Sequence, residues 1–331
     1  MAESLFDTGA EAPEIAEILV PVAVEGAYSY ANPRGLALQP GDQVLVTLGN
    51  RPTVGVVWEL RRGHAASNLK PVEHRYDAPP MRAPMRAFVD WIARWTLSPR
   101  GMVLRMALRE PEGGAETPRM GVRATGHRPA RMTPARGRAL AVAEGGMVWR
   151  KSALAGAASV SGGVIDGLID EGAFEVVAIP PEPVAATPDP DANPAVLTPD
   201  QAAAAAALAG MVRARRFEVA LLEGVTGSGK TETYFEAAAE AVRAGRQTLI
   251  LMPEIALTAD FIARFEQRFG APPSEWHSGV AATRRDRLWR AVAAGEAKVV
   301  VGARSALMLP FADLGLIVVD EEHEGAYKQD D

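Results

Sequence analysis

The chain has 331 residues, 48% hydrophobic and 23% charged, which is enough for two or three domains that each bury a core. It contains no cysteine, which excludes a disulfide framework or a zinc–thiolate site within these residues, and no apolar run reaches the roughly 18 residues of a membrane span. The net charge of −6 hides an asymmetry: from Arg82 to Lys151 there are 14 Lys/Arg against 5 Asp/Glu, and six arginines with no acid lie between Arg119 and Arg138. Such a stretch is either a solvated surface or the footprint of phosphate contacts. The opening MAESLFDTGAEAPE is acidic and lacks the basic-then-apolar layout of a secretory signal, so a cytoplasmic location is expected.

In chain order, EILVPVAV, DQVLVTL and PTVGVVWEL within residues 17–60 are extended runs broken by turn signals at Asn32-Pro33 and Pro40-Gly41-Asp42. They predict a small, strongly curved sheet or barrel. A helix follows in which Phe88, Trp91, Ile92 and Trp95 share one face, and an apolar stripe of that kind is expected to pack inward as core. Over 133–179 three short helices and a β-wing suggest a winged helix, with Thr133 as N-cap and Pro134 at the first helical position. Its third helix carries Asp166, Asp170 and Glu171 and no base, which favours a structural or protein-contacting role over DNA reading. Residues 180–197 hold six prolines without helical period and predict a stiff linker. Beyond it, VALLEG, QTLILMP, KVVVGA and LGLIVVD alternate with helical patterns, which implies a parallel sheet covered on both faces.

Gly224-Val225-Thr226-Gly227-Ser228-Gly229-Lys230-Thr231 satisfies the phosphate-loop pattern in full. Glycines let successive N–H groups curl toward phosphates, the following helix adds its positive end, Lys230 bridges the β- and γ-phosphates, and Thr231 holds Mg2+. Ninety residues after that lysine, LGLIVVDEEH delivers two acids at a strand's C-terminal end. There Asp320 is expected to order Mg2+ through its water shell, while Glu321 orients and deprotonates the attacking water. Together the two motifs predict a nucleoside triphosphatase that uses ATP and Mg2+. Thr198-Pro199-Asp200-Gln201 reads both as a capping box and, through the Gln201 amide, as a donor–acceptor pair for adenine. His64, His74, His127 and His277 have no metal-ligand spacing, and position alone leaves His323 undecided.

GVTGSGKTE, PEIALT, HSG, VVVGARSALMLPF and LIVVDEEHEGAYKQ together resemble the superfamily 2 DEAH-type helicases, and among them the primosomal replication-restart family. The resemblance implies a 3′-to-5′ DNA helicase that recognises stalled forks and reloads the replisome through primosomal loading proteins and single-strand-binding protein, associated with the nucleoid. By position it implies adenine contact by Gln201, phosphate and metal contact by 224–231, and a DEAH box of Asp320, Glu321 and His323 in which the histidine links ATP state to the DNA-facing loop. Pro253, Thr258 and Arg304 match motifs that line the single-strand track. Alanine stands at position 303 where the family commonly has threonine, so one backbone contact of that pattern is not carried over. Tyr28, Ser29, Gly49 and Lys70 match a pocket for the 3′ end of the nascent strand. Ser29 stands where an aspartate that caps the 3′-hydroxyl is common; it can still accept and donate a hydrogen bond but brings no charge.

The expected organisation is multidomain: a β-rich 3′-end DNA-binding domain over 1–110, a winged helix over 111–180, a proline-rich linker over 181–197, and a RecA-like α/β motor lobe over 198–331. By resemblance a second motor lobe and a cysteine-rich zinc region lie downstream, so the chain is expected to be part of a longer protein and a poor ATPase alone. A fork-binding scaffold with a dispensable motor, or another superfamily 2 nucleic-acid translocase, are the competing readings.

Overall fold

A computed structural model describes residues 14–32, 36–62, 68–109, 119–179, 183–253, 257–323 and 325. The acidic opening, Pro33 of the first turn, His64, residues 180–182 of the linker, 254–256 of PEIALT and 326–331 lie outside them. The chain packs as two compact units, residues 1–113 with 184–331, and residues 114–183.

The first unit opens with five antiparallel strands: β1 (Glu14–Leu19), β2 (Tyr28–Ala31), β3 (Gln43–Leu48), β4 (Arg51–Arg62) and β5 (His74–Arg75), in the order β2-β1-β4-β3-β5. Just before β5, Lys70 and Val72 exchange backbone hydrogen bonds with Ala31 of β2 (2.9 and 3.0 Å), so the sheet's two edges meet and it closes as a small barrel. Alternation along β1 divides two cores: Ala16 and Ile18 point inward with Val44, Val46 and Val57, while Leu19 points out with Val56 against two helices. These are α1 (Ala83–Thr96) and α2 (Arg100–Ala107). Asp90 of α1 accepts from Trp58 Nε1 at 3.2 Å and Arg100 Nε at 2.8 Å, tying both helices to β4.

The aromatic stripe of α1 departs from its expected burial. Val89 and Ala93 fill the core, whereas Trp91 and Trp95 are 53% and 70% exposed and stand with Phe88 as a ladder of rings, centroids 6.1 and 5.7 Å apart. Phe88 and Ile92 of the stripe do pack against the core of Val89 and Ala93, together with Met85, and only the two tryptophans lie beyond the covered face.

In the second unit, β6 (Arg119–Ala124) and β7 (Phe174–Ile179) pair antiparallel, and α3 (Pro134–Val142), α4 (Lys151–Ala157) and α5 (Gly162–Asp170) pack around Phe174, Leu154 and Ile165. Thr133 caps α3 by accepting from Arg136 N at 3.2 Å. Asp166 of the third helix pairs with Lys151, and Glu171 just beyond that helix with Arg136.

The rest of the first unit is an α/β layer with α6 (Pro199–Ala214), α7 (Lys230–Arg243), β8 (Gln247–Leu251), α8 (Ala259–Phe269), β9 (Ser274–Trp276), α9 (Ala282–Ala293), β10 (Val299–Gly302) and β11 (Leu314–Val319). The four strands are parallel in the order β11-β8-β10-β9. Phe235, Phe261, Phe265 and Phe269 fill one side of the sheet, and Trp276, Leu288 and Val292 fill the other. Two expectations need correction here. VALLEG forms no strand and pairs with none among the described residues, and Val219 and Leu221 are 81% and 70% exposed. The proline-rich segment is also a bound strap, not a free spacer: Asp189 N and Asn193 N donate to Phe269 O and Arg268 O (2.9 and 3.2 Å), and Arg243 pairs with Asp191. Proline's missing donor leaves such a segment few local partners, so it takes them from α7 and α8. Among the described residues no single helix is long and apolar enough to cross a membrane.

Candidate nucleotide and DNA sites

Gly227 and Gly229 adopt φ of +79° and +81°, the left-handed conformation that glycine reaches without cost. A Cβ at Gly229 would collide with the Gln201 amide, so the loop needs glycine there for space as well as for conformation. The turn delivers the chain into α7, whose N-terminus has no side-chain cap, and a helix start of that kind is where anions meet backbone N–H groups. Lys230 Nζ donates to Gly224 O and Val225 O (2.7 and 3.3 Å), which holds the ammonium over the loop. Ser228 N closes the turn on Val225 O at 3.1 Å.

Gln201 ties this loop to α6. Its Oε1 accepts from Thr198 N at 2.8 Å, Thr198 Oγ1 accepts from Gln201 N at 3.4 Å, and Gln201 Nε2 donates to Ser228 O at 2.8 Å. The capping box is present in full. The same amide positions the phosphate loop, a second task that sequence spacing did not suggest.

The acid pair belongs to the same layer. Strand register sets Val319 of β11 beside Leu251 of β8, and Leu251 beside Gly302 of β10. The next residues, Asp320, Met252-Pro253 and Ala303-Arg304, therefore emerge at neighbouring strand ends. Asp320 N donates to Leu251 O at 2.9 Å, and Glu321 N donates to Asp320 Oδ1 at 3.0 Å. Glu321 has φ +50°, an uncommon left-handed conformation for a non-glycine residue that turns the chain sharply away from the strand. His323 Nε2 lies 3.5 Å from Glu321 Oε2, and its side chain is largely exposed.

One residue absent from the sequence reading joins the two halves. Tyr234, on α7 and 5% exposed, donates from its hydroxyl to Asp320 Oδ2 at 2.8 Å. Burial first, and the Asp320 charge second, raise its pKa, so the phenol stays a donor. Thr231 lies in the first turn of the helix that this hydroxyl ties to Asp320, so the two candidate magnesium ligands lie on bonded elements. A hard cation with oxygen ligands fits this pair, and triphosphate oxygens fit the glycine turn. Only pairing across 86 residues could have revealed Tyr234, since it lies outside the loop pattern.

Of the track candidates, Pro253 is buried just past β8, Thr258 caps α8 by accepting from Phe261 N at 3.3 Å, and Arg304 is the exposed first residue of a 3-10 turn over Arg304–Met308 whose Ala306 and Met308 are buried. In the barrel, Tyr28 is 42% exposed on β2, Lys70 Nζ donates to Gly49 O, and Ser29 Oγ donates to Glu17 Oε1 at 2.8 Å. The Ala31–Lys70 backbone bond brings Lys70 and Gly49 to the strand that carries Tyr28 and Ser29.

A phosphate loop opening a helix on a parallel sheet, with an acidic strand end hydrogen-bonded to that helix, defines a helicase-type motor domain, and the family model for the DEAD/DEAH box helicase matches residues 198–330. A second model, the 3′DNA-binding domain (3′BD), matches residues 17–109. Replication restart protein PriA of Rickettsia conorii is 31% identical over 320 residues, 96% of this chain and 38% of that relative. The PriA of Haemophilus influenzae is 30% identical over 332 residues, 96% of this chain and 45% of the relative, and that of Bacillus subtilis is 41% identical over 139 residues, 42% of this chain and 17% of the relative. The chain belongs to the PriA family of replication restart proteins, and spans less than half the length of these relatives.

Proposed function

We propose that the chain works in an ATP-dependent 3′-to-5′ DNA helicase that recognises stalled replication forks and restarts replication by primosome assembly. The observation that supports this most is the hydrogen bond from Tyr234, on the helix that the phosphate loop opens, to Asp320 at the acidic strand end, since it ties the loop's helix to the acid pair. ATP with Mg2+ supplies the phosphoryl transfer that drives translocation. The N–H groups of 227–231 receive phosphate oxygens, and Lys230 moves from the Gly224 carbonyl to the β- and γ-phosphates. When magnesium is bound, Thr231 and Asp320 are the residues that would hold it, and it would supply positive charge to the phosphoryl transfer. Glu321 orients the attacking water and takes its proton, because Asp320 is committed to the metal. His323, beside Glu321, passes the state of the site to the strand ends that carry Pro253, Thr258 and Arg304, which grip single-stranded DNA by its backbone. Gln201 turns its amide from Ser228 to adenine. Residues 119–179 act as a winged helix that contacts protein, and Tyr28, Ser29, Gly49 and Lys70 receive the 3′ end of the nascent strand. Primosomal loading proteins and single-strand-binding protein are the partners.

Lys230→Ala tests the motor reading. The variant is expected to lose binding of a fluorescent ATP analogue by more than about tenfold, because a charge-assisted phosphate contact is removed, while fork DNA still binds with the wild-type affinity. Unchanged nucleotide binding would overturn the assignment.

A further inference from the structure

Ser29 brings no charge of its own to the barrel, yet it is joined to a carboxylate. Glu17 lies directly opposite it in the β1–β2 register, is 7% exposed, and accepts the Ser29 hydroxyl proton at 2.8 Å. The same Glu17 oxygen accepts from the guanidinium of Arg61, which comes from β4 on the other side of β1. Glu17 faces away from the barrel interior, on the side opposite Ala16 and Ile18, so its buried charge serves no packing purpose in that core. A buried carboxylate is expensive to keep unless its partners hold it in place.

Resting on the reading of Tyr28, Ser29, Gly49 and Lys70 as a DNA-end site, we infer that Glu17 fixes the Ser29 hydroxyl as an acceptor, so that this corner takes a strand ending in a free 3′-hydroxyl and refuses one ending in a 3′-phosphate. A serine hydroxyl has one proton and two lone pairs. With the proton committed to Glu17, only the lone pairs face outward, and these accept from a hydroxyl but give a phosphate nothing. Arg61 already balances the charge of Glu17, so the carboxylate contributes the direction of a hydrogen bond more than a net field. It also occupies the Arg61 guanidinium, as Gly49 O occupies the Lys70 ammonium, so both of these cations already have partners.

The experiment measures binding of the 331-residue protein to forks whose nascent strand at the junction ends in a 3′-hydroxyl or a 3′-phosphate, by fluorescence anisotropy. Wild type is expected to prefer the hydroxyl by about tenfold, the scale of one hydrogen bond to a charged network. Glu17→Met keeps side-chain length but releases both Ser29 and Arg61 to donate, and the preference should fall below about twofold or reverse. The double variant Glu17→Met/Ser29→Asp supplies an acceptor-only side chain without Glu17 and should restore it; Glu17→Ala replaces the methionine variant if melting shows that one unfolded. A wild-type preference that survives loss of Glu17 overturns the inference while leaving end recognition intact. No preference in wild type, together with unweakened fork binding by Tyr28→Ala, overturns the end-binding reading and this inference with it.

Discussion

Tyr234 shows how a single hydroxyl can set the geometry of a candidate metal ligand. Asp320 has one oxygen on its neighbour's backbone N–H and the other on this phenol, so the carboxylate plane is fixed before any cation arrives. Tyr234→Phe keeps the ring packed against Phe235 and removes only the donor. We expect Mg2+-dependent nucleotide affinity to fall about fivefold to tenfold, Mg2+-free binding to stay unchanged, and stability to drop by no more than about 1 kcal/mol. Isothermal titration with and without Mg2+ separates these outcomes. Because burial raises the phenol's pKa, the protonated form contributes fully at pH values below the ordinary tyrosine value of about 10 and is lost only as pH rises further, so the Tyr234 effect should be flat across neutral pH. The loop pattern Gly224–Thr231 was readable without any structure because its glycines, Lys230 and Thr231 are set by local backbone conformation or phosphate chemistry. Tyr234 was not, because its role exists only once α7 crosses the end of β11.

Elements divide in the same way. The helix starting after Thr198 was legible from its capping box, a device complete within four residues. That Gln201 also holds the phosphate loop depends on α6 lying beside it. Gln201→Ala removes both bonds, and we expect hydrogen exchange to accelerate over 198–202 and 227–232 together, with a cost of about 1–2 kcal/mol. Exchange confined to the α6 terminus would show that the Ser228 contact carries nothing. The α1 tryptophans teach the converse point: a 3.6-residue period shows that a stripe exists and cannot say whether the barrel covers it. VALLEG likewise has strand composition, but a strand is made by its partner, and β11 and this segment do not pair.

At the scale of the molecule, the barrel and the parallel sheet pack within one unit. Met308, at the end of the 3-10 turn that Arg304 opens, enters the core of α1 and α2 beside Val89, Val103 and Leu104. Arg109, just past α2, lies over the Trp276 ring at 5.6 Å and reaches Asp286 at 3.9 Å. A turn carrying a DNA-track candidate is therefore seated on the domain that carries the strand-end candidates. Met308→Ala should cost about 2–3 kcal/mol, the usual loss for a buried methionine. In chemical denaturation we expect the barrel and the motor lobe to unfold in one transition in wild type and in two in the variant; a single transition in both would show that Met308 does not couple them.

The amino-acid sequence alone determined the phosphate loop, the acidic strand end, the alternation of strands and helices after residue 197, and through them the helicase class. Each of those features is written in neighbouring residues, where backbone conformation and side-chain chemistry act over a few bonds. Only the tertiary structure decided that Glu17 underlies Ser29, that Tyr234 joins α7 to Asp320, that the proline-rich segment is strapped to the motor lobe, and that two tryptophans face outward. Those are pairings between residues distant in the chain, and they exist only after folding has chosen which faces bury one another.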